Sequence, residues 1–83
     1  MMTEDKKFPA FTDLDLMLFG KFKGTVLQDV SANYLMWWYN EANGRQYVGK
    51  QVDATTFLYL KDLIKLANYI HNSMDVLKME IGE

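Results

Sequence analysis

The sequence predicts an α+β fold: a short N-terminal β-hairpin followed by an aromatic helix and a long C-terminal helix that either breaks or projects from the domain. Three observations predict it. Two short apolar runs, Leu14–Phe19 and Thr25–Leu27, flank a glycine-bracketed pentapeptide, Gly20-Lys21-Phe22-Lys23-Gly24. A stretch crowded with large aromatic side chains then runs between Ser31 and an Asn43-Gly44 stop. From Ala54 onward, apolar residues recur at alternating spacings of three and four.

Residues 1–10 read as a flexible tail and residues 11–83 as one small domain. Met1 to about Lys7 is polar and charged, and Phe8-Pro9-Ala10-Phe11 carries the one proline of the chain between apolar residues, an extended arm suited to lie on the core. In the hairpin, glycines at 20 and 24 let both ends of the loop turn tightly. An extended Lys21-Phe22-Lys23 would send the two amines to one side and Phe22 to the core. Ser31 stands where a helix N-cap is wanted, although Tyr34 occupies the capping-box position that favours Glu or Gln. The helix is expected over residues 32–42. At 100° per residue Tyr34, Trp37 and Trp38 share a face, with Tyr39 to its side. Trp37 is assigned to the core, and Trp38, Tyr39 and the following Arg45 to a partly exposed interface.

A polar connection from Arg45 to Asp53 carries a second glycine-lysine pair, Gly49-Lys50. The C-terminal helix is expected over about 54–80. Leu60, Leu63, Ala67, Ile70, Met74, Leu77 and Ile81 form a heptad seam that Ile64 and Leu66 widen. A continuous helix of about 26 residues would be roughly 39 Å long, more than so small a domain spans. It therefore breaks near Asn68 or Asn72-Ser73, or its end projects onto a partner. A homodimer through this helix is one expectation.

Composition narrows the function. The 83 residues are 49% hydrophobic and 14% aromatic, too apolar for a disordered chain. Nine Lys+Arg against eleven Asp+Glu leave a net charge of -2, which excludes nucleic-acid binding by bulk positive charge. With no Cys and one His, thiolate metal sites, disulfide staples and His-paired triads are excluded or disfavoured. No apolar run approaches the ~18 residues of a membrane span, and the N-terminus lacks a secretory core, so a soluble, cytoplasmic chain is expected. Asp13 and Asp15 alternate, as a Mg²⁺-binding pair on one strand face would, but no other part of a nuclease site accompanies them. Neither Gly20-Lys21-Phe22 nor Gly49-Lys50-Gln51 completes a P-loop, and His71 has no catalytic company.

The segment Leu18-Phe19-Gly20-Lys21-Phe22-Lys23-Gly24, followed by Leu27-Gln28-Asp29-Val30 and then Tyr34-Leu35 and Trp37, resembles the small domain at the C-terminus of exodeoxyribonuclease X-like proteins. It is also similar to a related family of short stand-alone bacterial and phage proteins of unknown function. The match runs from about residue 17 to 38. Leu18 and Ser31 replace prolines common in the pattern, and a capping Ser suits the backbone that Pro would start. The resemblance implies an accessory domain, since the metal-binding carboxylates of the exonucleases belong to a separate domain.

Residues and resemblance together lead to the first expectation, a non-catalytic accessory module associated with DNA metabolism that needs no cofactor and contacts nucleic acid or a DNA-processing enzyme. Gly20, Lys21, Lys23 and Gly24 form a loop whose amines suit adjacent phosphates, and Lys50 extends it if the loops converge. The second expectation is a protein-interaction module, a small regulator that docks on an enzyme or defence complex through Trp38, Tyr39 and the C-terminal helix.

Overall fold

The computed structural model describes residues 10–52 and 55–82, and every regular element within them is helical. Helix α1 spans Ala32–Asn40, α2 Leu58–Asn72 and α3 Met74–Ile81, with short 3₁₀ turns at Gly20–Phe22, Leu27–Asp29 and Gly44–Tyr47. This corrects the α+β expectation. Among the described residues there is no strand, and the predicted hairpin is reduced to one isolated antiparallel bridge between Leu16 and Val26.

The chain does double back where the hairpin was expected. Met17 N–H donates to Thr25 O at 2.9 Å, Gly24 N–H to Met17 O at 3.0 Å and Leu27 N–H to Asp15 O at 2.8 Å. The ladder goes no further because the backbone leaves the extended range on both sides, curling at Gly20–Phe22 and again at Leu27–Asp29. Leu14 and Leu16 remain 71% and 53% exposed, so one side of the ribbon stays open, while Met17 and Leu27 on the other enter the core. A two-stranded ribbon on its own is marginal in water, and this one holds through the two side chains it buries.

Helix α1 forms because Ala32, Leu35 and Trp38, three residues apart, supply a buried stripe. Ser31 holds the N-cap position without a side-chain capping bond, and its carbonyl receives Leu35 N–H at 3.1 Å. The helix stops at Asn40, two residues before the expected end. Glu41 and Ala42 N–H both donate to Trp37 O, and Asn43 then turns left-handed at φ 61°. Gly44 is buried against the Trp38 ring so closely that a Cβ there would overlap it.

The long C-terminal helix breaks at Ser73, one of the two places its sequence allowed. Ser73 (φ -104°, ψ 12°) donates its N–H to Tyr69 O and Ile70 O, closing α2, and accepts Leu77 N–H at 2.9 Å, opening α3. The break folds α3 back onto α1. It also keeps the longest axis of the molecule at 36 Å, below the span of the continuous helix. Most of the heptad seam packs into the chain's own core: Ala67, Ile70 and Leu77 are buried, and Leu63, Met74 and Ile81 pack half-buried against them.

Among the described residues, Leu27, Leu35, Ile64, Leu66 and Ile70 are the largest fully buried side chains. Five successive residues of α2, Leu66–Ile70, are buried, because α1, α3 and the Gly44–Tyr47 turn all contact this helix. The predicted arm is described only from Ala10. Phe11 packs on the core and its N–H reaches Lys65 O at 3.2 Å, while Phe8 and Pro9 lie outside the described residues, as does the tail before them.

Candidate functional site

The Gly20–Gly24 loop is a tight turn, not the extended triplet the sequence predicts. Lys23 N–H donates to Gly20 O at 3.1 Å and Thr25 N–H to Phe22 O at 2.9 Å. Gly20 adopts φ +74°, and the Tyr34 hydroxyl occupies the place where a Cβ would stand, so position 20 accepts glycine on two counts. Phe22 anchors the turn as expected, its ring meeting Tyr34 edge-on at 5.0 Å between centroids. Lys21 and Lys23 are exposed, and Lys21 Nζ sits 5.3 Å from the Phe22 ring centroid, a cation–π contact that biases one amine towards the aromatic surface.

That surface continues. Tyr34 stacks on Trp37 at 5.7 Å and 30°, and Trp37 is 50% exposed. The two tryptophans thus exchange the places expected of them. Trp38, assigned to the interface, is 7% exposed and packs against Phe19 at 5.9 Å and Tyr47 at 6.3 Å. It joins the loop that carries Lys21 and Lys23 to the connection that carries Arg45 and Lys50. Trp37, assigned to the core, is the ring that faces solvent.

Arg45 and Lys50 are exposed on the second loop. This loop is held by Asn68, a buried polar side chain whose Oδ1 accepts Gly49 N–H at 3.0 Å. Tyr39 is half-buried, with its hydroxyl 3.3 Å from His71 Nδ1. Phe19, Trp38, Ala42, Tyr47, Tyr59 and Leu63 line an open groove of about 270 Å³ between the loops and α2.

The paired carboxylates do separate jobs. Asp15 Oδ2 accepts Thr12 N–H at 2.7 Å, closing a turn, and Asp13 Oδ1 accepts the Tyr69 hydroxyl at 2.8 Å, tying the N-terminal segment to α2. Burial above all, then the hydrogen bond to Asp13 and the charges of Asp13 and Glu80, push the Tyr69 hydroxyl well above the ordinary phenol range. Among the described residues no three His, Cys, Asp or Glu side chains come together as a metal site, and no helix is long and apolar enough to cross a membrane.

No curated protein and no solved structure matches the chain. A family model does match it, over residues 13–70, which is well over half of the sequence. The matched span holds the Gly20–Gly24 loop, α1, the Gly44–Tyr47 turn and nearly all of α2, and so contains the basic and aromatic residues just described other than His71. The chain belongs to the family described as "Putative quorum-sensing-regulated virulence factor", a family of small proteins.

Proposed function

We propose that this chain is a small non-catalytic accessory module that contacts nucleic acid through the Gly20–Gly24 loop. One observation carries the reading: two exposed amines, Lys21 and Lys23, stand on a hydrogen-bonded turn that Phe22 and Tyr34 anchor to α1. A pre-set turn loses little freedom when its lysines engage phosphate. The resemblance to the C-terminal domain of exodeoxyribonuclease X-like proteins supports the same reading and makes a DNA-processing enzyme a natural neighbour. With a net charge of -2 the attraction is local, so the contact needs this loop and its aromatic surroundings.

The test is fluorescence anisotropy with labelled DNA and RNA over a salt series, comparing wild type with the Lys21→Ala plus Lys23→Ala variant. Each phosphate contact contributes about 0.7–0.9 to the slope of log K against log salt. The double variant is expected to keep its circular dichroism spectrum and lose about 1.5 units of slope together with most of its affinity. Unchanged binding would remove the loop from the reading.

A second reading, a protein-interaction module, is favoured by one specific feature. Phe57, Leu58 and Tyr59 at the start of α2 are 78%, 77% and 59% exposed, and Tyr59 borders the aromatic groove. Contiguous exposed apolar side chains of this kind mark interaction surfaces. A partner identified by mass spectrometry should be retained by wild type and lost by a folded Phe57→Asp plus Leu58→Asp variant. Equal retention by both would count against this surface.

A further inference from the structure

Resting on the nucleic-acid reading, we infer that the strand this module binds is single, with an unpaired base stacked on Trp37 and the adjoining phosphates held by Lys21 and Lys23. The observations form a chain of contacts across one surface. Lys21 lies over Phe22, Phe22 meets the edge of Tyr34, and Tyr34 stacks on Trp37. Tyr34 supports one side of the Trp37 ring, while half of the Trp37 surface stays open to solvent. Trp37 sits inside α1, between the buried Leu35 and Trp38, so its backbone is fixed before any ligand arrives.

An exposed ring on a rigid helix, joined through Tyr34 and Phe22 to the turn that carries two amines, offers what single-strand binders use: cations follow the backbone, and an aromatic face takes a base. A duplex cannot use it. Each paired base is already stacked on its neighbours, and its π face is closed to a ring on the protein surface. A duplex would be left with the phosphate contacts, and two of these on a chain of net charge -2 are weak at physiological salt. The surface therefore discriminates by strandedness with no sequence readout, because every base offers a π face.

The experiment titrates one labelled 20-nucleotide strand, alone and annealed to its complement, into four proteins: wild type, Trp37→Phe, Trp37→Leu and the Lys21→Ala plus Lys23→Ala variant. Phe and Leu both fill space at a half-exposed position, and only Phe keeps a π face. Wild type should prefer the single strand by about tenfold or more. Trp37→Phe should stay within a fewfold of wild type, Trp37→Leu should lose the preference, and the weak duplex binding should be the same in all three. Intrinsic fluorescence should be quenched by the single strand in wild type and not in Trp37→Phe, which retains Trp38 in the core. Equal single-strand binding by the Phe and Leu variants, or equal binding of both DNA forms by wild type, would overturn the stacking inference. If the double lysine variant still lost binding in that case, the loop reading would stand. No binding of either form by wild type at low salt would overturn both.

Discussion

At the residue scale, the chemistry depends on side chains whose neighbours decide what they can do. Trp37 and Trp38 are adjacent and identical in type, yet one is half open and the other closed. With Leu35 as the core anchor, Trp38 lies about 60° from the stripe and Trp37 about 160° away. The signal was therefore present, and it needed knowledge of which residue pointed inward. Tyr69 makes a testable case. Its hydroxyl donates to Asp13, and the folded state favours the protonated phenol. A group whose folded pKa is raised contributes stability that is complete below its unfolded value, about pH 10, and is lost as pH climbs above it. Tyr69→Phe should cost about 1 kcal/mol near neutral pH, the net worth of one hydrogen bond. In urea melts the gap between wild type and variant should hold from about pH 7 to 9 and shrink above about pH 10. A gap that persisted unchanged at higher pH would refute this account.

At the element scale, α1 and the break at Ser73 were legible, and the hairpin was misread. The aromatic helix starts at the expected residue because Ser31 and the Ala32-Leu35-Trp38 stripe agree. The hairpin reading relied on apolar alternation, which a strand and a looped segment that buries Met17 and Leu27 share. The 3₁₀ turns that replace the second strand have no strong local signature. The connection at 44–50 is held from a distance, by a side chain nineteen residues away in sequence. Asn68→Ala should destabilise the fold by about 1–3 kcal/mol, because it removes a buried acceptor from the Gly49 amide. Hydrogen exchange at Gly49 should accelerate more than at Gly24, whose bond to Met17 O belongs to the other loop. Equal acceleration at both would show a global loosening instead.

At the scale of the whole molecule, a short chain meets its need for a core by folding its own seam inward. A heptad seam in isolation suits a second copy or the chain's own core, and the break at Ser73 brings α3 against α1. Elsewhere in the core Trp38 packs against Phe19 and Tyr47, linking the two loops that carry the exposed basic residues. The sequence by itself determined that an aromatic helix begins after Ser31, that the last helix must break or project, and that a glycine-bounded pair of lysines is the sharpest candidate site. Those conclusions rest on local rules of capping, glycine geometry, chain length and charge. The tertiary structure alone decided that the N-terminal ribbon carries no sheet, that the seam is internal, and that Trp37 rather than Trp38 faces solvent. Each of these depends on which surfaces meet across the fold, and a residue's spacing along the chain records its neighbours in sequence, not the partner that covers it.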